Sequence, residues 1–185
     1  HPPLYYSGLG AVGKVFALHP KADYLIYRLI GVGLVGLGLA FVVLTARELR
    51  LTQSTTALML FACASVPMFS YIAGSVSNDT LLYPGMTLSF YGMARFANPV
   101  RHGPDPLSAV LLLTGLLIVF LTKATGVVSI ILMLGGWGLR NLRRLQPIVL
   151  LQNFWPHAVV FAVIVGGYYA YTWLHHGAFF PTPGR

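Results

Sequence analysis

The run YLIYRLIGVGLVGLGLAFVVLTA, residues 24–46, decides the fold. It carries one charge, Arg28, placed one turn inside its start. Crossing ~30 Å of hydrocarbon takes about 20 helical residues, and this run fits that length. Arg28 can reach the head groups by snorkelling. Arg47, Glu48 and Arg50 close the run, and residues 51–56 form a short polar loop. Gly31-x-Gly33-x-x-Gly36 matches a dinucleotide fingerprint, as does Gly8-x-Gly10-x-x-Gly13. Neither follows a strand or sits in a strand–helix–strand unit, so neither is read as a nucleotide site. Glycines inside an apolar span instead let a second helix approach closely.

Composition supports the same solvent. Of 185 residues, 56% are apolar and 9% charged, where a soluble domain carries about 25% charged residues. The net charge of +8 could suggest nucleic acid. The basic residues, however, fall between apolar runs rather than in one patch, which is a membrane pattern, so no nucleic-acid partner is expected. Cys63 is the one cysteine and lies inside an apolar run. It is read as a buried, inert thiol.

Five more spans follow from the same pattern: residues 57–76, 80–96, 107–122, 126–138 and 154–174. Pro67 predicts a kink in the first of these. Lys123-Ala124-Thr125-Gly126 interrupts an apolar stretch too long for one crossing. Trp155 sits at one edge of the last span and Tyr168, Tyr169, Tyr171 and Trp173 at the other, as aromatic belts do. Residues 1–22 read as an interfacial helix opened by Pro2-Pro3, and residues 175–185 as a polar tail. The expected class is therefore all-α: a polytopic transmembrane helix bundle of about six spans plus an N-terminal interfacial helix, in one membrane domain. The chain opens on His1 without a basic n-region, apolar h-region and cleavage site, so its opening stretch is not read as a signal peptide, and the end is Pro/Gly-rich. We read the chain as a piece of a longer protein.

Grouping Arg47, Arg50, Arg95, Arg101, Arg140, Arg143 and Arg144 puts seven basic residues on one side. By the positive-inside rule that side is cytoplasmic. Residues 1–22, the corner Ser77-Asn78-Asp79-Thr80, the Lys123 turn and the tail then lie outside, in a multi-pass protein of the plasma (inner) membrane.

The corner is where chemistry is expected. Acids are scarce, 4 against 12 basic residues, and an ionisable group at a membrane-depth turn usually has a task. Asp79 has three readings. It caps the next helix, it lines an outward-facing cavity with Asn78, or Asn78-Asp79-Thr80 is a glycosylation sequon. Lys123, on the same side, either snorkels or meets a phosphate. His157, His175 and His176 have no carboxylate or thiol at a metal-ligand spacing. No cofactor is required by the sequence, and whether a divalent metal is needed stays open. No Gly-x-Ser-x-Gly pattern is present.

Three blocks, in order, resemble a family. His1-Pro2-Pro3-Leu4-Tyr5-Tyr6 resembles the stretch that ends the first outside loop of protein mannosyltransferase-like and aminoarabinose-transferase-like membrane glycosyltransferases. Ser77-Asn78-Asp79-Thr80 is similar to the Asn-Asp that follows a Pro-kinked span in their bacterial relatives. Leu121-Thr122-Lys123-Ala124-Thr125-Gly126 is similar to their Leu-Thr-Lys-x-x-Gly turn. The resemblance implies the GT-C class. Such enzymes move a sugar from a polyprenyl-phosphate donor to a glycan, lipid or protein acceptor on the non-cytoplasmic side. It also implies that the catalytic base lies upstream of His1. On that footing His1 supports the loop carrying the base, Asn78 and Asp79 bind hydroxyls, and Lys123 meets the phosphate. A transporter or flippase-like protein, or a non-catalytic subunit of a membrane complex, are the alternatives.

Overall fold

The computed structural model describes residues 4–16, 20–97, 106–122, 128, 132, 135, 136 and 147–177. These residues form seven helices and no strand. They are α1 (Leu4–Phe16), α2 (Pro20–Glu48), α3 (Gln53–Ala64), α4 (Pro67–Gly74), α5 (Asp79–Phe96), α6 (Pro106–Thr122) and α7 (Pro147–His176). The span expected over residues 126–138 lies almost wholly outside the described residues. So do Arg101, Lys123, the basic residues Arg140, Arg143 and Arg144, and residues 178–185.

Local chemistry sets the helix ends. α2 stops in a Schellman motif. Leu51 donates its N–H to the Ala46 carbonyl at 2.9 Å, Arg50 donates to Arg47 at 3.0 Å, and Arg50 takes the left-handed conformation with φ 56°. α3 starts at Thr52, whose hydroxyl accepts the Thr55 N–H at 3.2 Å. Pro67 then does more than the kink expected of it. The residue before a proline is pushed towards extended backbone, and Val66 is extended, with φ −77° and ψ 116°. The helix therefore breaks, and Pro67 becomes the first residue of α4, where its missing N–H is harmless. The stretch 57–76 is two helical pieces rather than one bent rod.

Glycines set how closely the helices pack. A Cβ on Gly92 of α5 would lie 2.5 Å from the Leu112 nitrogen of α6. One on Gly115 of α6 would lie 2.6 Å from the Gly85 carbonyl oxygen. Gly85 itself faces Ile118 and Val119. α5 and α6 thus run antiparallel with their backbones nearly touching, around a core of Met93, Leu112, Leu116 and Val119. α2 runs parallel to α5. Gly31 meets Thr80, Gly38 meets Tyr83 and Pro84, Phe41 stacks on Tyr91, and Glu48 reaches Arg95 at 3.8 Å. α7 joins α6 through an edge-to-face pair, Phe120 and Phe161.

Among the described residues, two stretches are long and apolar enough to cross a membrane, Tyr24–Glu48 and Trp155–His175. Only 22% and 6% of their most apolar windows are buried inside the protein. A core helix of a water-soluble domain would be mostly buried. Here large apolar side chains such as Leu25, Leu29, Val163 and Leu174 point outward. Lipid is the medium that solvates such faces.

Candidate functional site

The corner between α4 and α5 is a small polar knot. α4 ends at Ser75, whose hydroxyl donates to the Ile72 carbonyl at 3.1 Å and lies 3.2 Å from the Ser77 hydroxyl. Thr80 is fully buried and its hydroxyl is within 3.4 Å of both the Ile72 and Ser75 carbonyls. It therefore ties the first turn of α5 back onto the end of α4. The Asn78 carbonyl accepts the Leu81 and Leu82 N–H groups at 3.1 and 3.0 Å, starting α5.

The N-cap position belongs to Asn78, not Asp79. Asn78 is 8% exposed, and its side chain makes no capping hydrogen bond. Its Oδ1 is buried without a hydrogen-bond partner among the described residues. Asp79 is the first residue of α5 and half-buried. A carboxylate is favoured there by the positive end of the helix dipole.

Two other helices close on this knot. From α1, Tyr5 is 3% exposed, and among the described residues its hydroxyl makes no well-formed hydrogen bond, although the Thr80 side chain and the Ser77 backbone lie within its reach. Burial pushes the Tyr5 phenol up from its ordinary pKa, while the nearby Thr80 side chain and Ser77 backbone pull the other way. It stays a protonated hydroxyl, able to donate, at every working pH. From α2, Gly31 lies flat against the corner: a Cβ there would meet Thr80 Cγ2 at 3.2 Å and the Ala73 and Ser75 carbonyl oxygens at 3.4 and 3.5 Å. One turn earlier, the Arg28 guanidinium stacks 4.4 Å above the Tyr24 ring centroid. It also donates to the Tyr24 hydroxyl at 2.7 Å. These two residues, with Ser70, Tyr71, Gly74 and Ser75, line a cavity of about 420 Å³ beside the corner.

The expected site residues fare differently. Asn78 and Asp79 lie side by side at the start of α5, with the buried Tyr5 hydroxyl set against the same turn. His1 and Lys123 lie outside the described residues. The last described residue of α6, Thr122, is at the end of the bundle that holds the corner, because Ile118 and Val119 already face Gly85, one and a half turns into α5. Tyr5 and Arg28 were not expected to contribute. Their signals were present: a tyrosine pair in the first block, and an arginine four residues after a tyrosine. Periodicity alone does not say which neighbour such residues fold against.

Between α6 and α7 a second cavity of about 300 Å³ is lined by Leu113, Leu117, Val160, Phe161 and His157 among others, and is almost wholly apolar. Among the described residues no cluster of three or more His, Cys, Asp or Glu could hold a metal ion.

The chain matches one family over residues 1–177, described as predicted membrane protein (DUF2142). No curated protein and no solved structure is significantly similar to it.

Proposed function

The chain belongs to the DUF2142 family of membrane proteins, and on that premise we propose that it is part of an integral membrane glycosyltransferase. Its substrate is a sugar carried on a polyprenyl phosphate, and its acceptor is a hydroxyl on the non-cytoplasmic side. The observation that carries this reading is the Oδ1 of Asn78, buried and without a partner among the described residues, beside Asp79. A buried acceptor left unsatisfied costs about 1–3 kcal/mol. A hydroxyl-rich ligand removes that cost when it donates to the amide, and a sugar is such a ligand.

In the reaction, the acceptor oxygen attacks the anomeric carbon. A base takes the acceptor proton. The bond between the anomeric carbon and the phosphate oxygen breaks with its electron pair, and the lipid phosphate leaves. Asn78 and Asp79 hold sugar or acceptor hydroxyls. Lys123 is the cation for the leaving phosphate, and His1 supports the loop that carries the base upstream of it. The three blocks of the family resemblance, carrying His1, Asn78 with Asp79, and Lys123, supply this assignment.

Membranes carrying the full-length protein, given radiolabelled polyprenyl-phosphate sugar, test it. Asp79→Asn, Asn78→Ala and Lys123→Ala are each expected to lower transfer about tenfold or more, the scale of one hydrogen bond to a charged group. Wild-type rates in all three variants contradict the assignment.

A second reading, a transporter of a polyprenyl lipid, is favoured by one observation, the break between α3 and α4. Broken helices line many transport sites. Acceptor-independent movement of the intact lipid across proteoliposomes distinguishes it from transfer.

A further inference from the structure

We propose that the cavity between α2 and the end of α4 binds the phosphate of a lipid headgroup through Arg28. This site is separate from Asn78, Asp79 and Lys123, and it stands whether or not the chain transfers a sugar.

Three features of the cavity select an anion. First, Arg28 is held ready. It is stacked on Tyr24 and fixed by one hydrogen bond to the Tyr24 hydroxyl. That bond uses one of the five N–H donors of a guanidinium, and the remaining fork matches phosphate geometry. Second, no ion pair to Arg28 occurs among the described residues. A cation near hydrocarbon seeks a partner. Third, the end of α4 would ordinarily repel an anion with its free carbonyls. Here two of the terminal carbonyls, Ile72 and Ser75, are occupied. Ile72 accepts from the Ser75 N–H, from the Ser75 hydroxyl and from Thr80, and the Ser75 carbonyl also faces Thr80. The serine hydroxyls of Ser70 and Ser75 and the phenol of Tyr71 supply further polar atoms to the lining.

The neighbouring surface selects a lipid over free phosphate. Leu25, Leu29 and Val32 are each more than half exposed and fall at i, i+4 and i+7. They form an apolar stripe on α2 next to Arg28. A headgroup phosphate in the cavity can lay its chain along that stripe. Phosphodiester lipids of the bulk bilayer and polyprenyl phosphates share this chemistry.

The test uses the full chain in detergent and native mass spectrometry. The probes are dioleoyl phosphatidylglycerol, undecaprenyl phosphate, dioleoylglycerol and sodium phosphate. Wild-type protein is expected to bind one or both phosphate lipids at least about tenfold more tightly than Arg28→Ala does. Arg28→Lys keeps part of the affinity, since it keeps the charge but not the fork. Dioleoylglycerol is expected to bind weakly and equally to all three proteins. Preference for phosphatidylglycerol identifies bulk lipid as the source, and preference for undecaprenyl phosphate identifies a prenyl carrier. If Arg28→Ala yields no folded protein, Arg28→Gln, which keeps a polar stem, carries the same expectation. Equal binding of both phosphate lipids by wild type and variant overturns the proposal. So does binding of dioleoylglycerol as tight as that of the phosphate lipids. Sodium phosphate competing at the affinity of the lipids overturns the lipid assignment.

Discussion

Asn78 Oδ1 and Tyr5 Oη are buried at one corner and neither has a hydrogen-bond partner among the described residues. Left dry and empty, each costs on the order of 1–3 kcal/mol. A ligand hydroxyl that donates to Asn78 Oδ1, or accepts from Tyr5 Oη, would remove that cost. This separates a structural role from a binding role. Tyr5→Phe removes a hydroxyl that makes no well-formed hydrogen bond among the described residues and keeps the ring. Its stability in detergent is expected to be unchanged or higher by about 1 kcal/mol, read from a chemical-unfolding midpoint. Binding of a polyprenyl-phosphate sugar is expected to weaken in the same variant. A fall in stability with unchanged binding assigns Tyr5 to packing alone. At this scale the sequence is partly legible. Ser77-Asn78-Asp79-Thr80 stands out because four polar residues interrupt apolar runs. Which of them caps is not legible. Asp79 was a candidate cap, and the N-cap position fell to Asn78 because Thr80 pins the turn one residue earlier than expected. Arg28 reads as a snorkelling residue until the α4 end is seen beside it.

Helix identity is more legible than helix termination or packing. The apolar stretches around α2, α6 and α7 announce themselves by length. Pro67 is also visible, but whether proline bends or breaks a helix depends on what the preceding residue can do. Val66 goes extended, so the break wins. The glycines of α5 and α6 carry no sign in the sequence of which ones touch. Gly33 and Gly36, in the most conspicuous glycine pattern, have nothing within 4 Å of a Cβ position. Gly92 and Gly115, outside that pattern, have backbone atoms at 2.5 and 2.6 Å. Gly92→Ala and Gly115→Ala are therefore each expected to destabilise by about 1–3 kcal/mol through overpacking, whereas Gly33→Ala is not. Thermal unfolding of the three variants in detergent checks the contrast. Equal midpoints for all three contradict the α5–α6 packing described above.

Across the whole molecule, polar features gather at one end. Tyr5, Arg28, the corner and the last residue of α6 lie there, while the Glu48–Arg95 ion pair ties α2 to α5 at the other end. That segregation gives the bundle one polar end and one end tied by an ion pair. On the proposed function this polar end is the one that meets the polyprenyl-linked sugar. The membrane character is legible from composition alone, since 9% charged residues cannot cover a soluble surface. The convergence of α1, α2, α4 and α5 on one corner is not, because it depends on contacts between residues far apart in the chain. The most direct measurement of the central claim is photo-crosslinking of a diazirine-bearing polyprenyl-phosphate sugar, with the label on the sugar, followed by peptide mapping. The account predicts labelling of the corner over residues 75–82 and of the peptide holding Tyr5, both lost in Asn78→Ala. Labelling confined to lipid-facing residues of α7, or unchanged by Asn78→Ala, contradicts it.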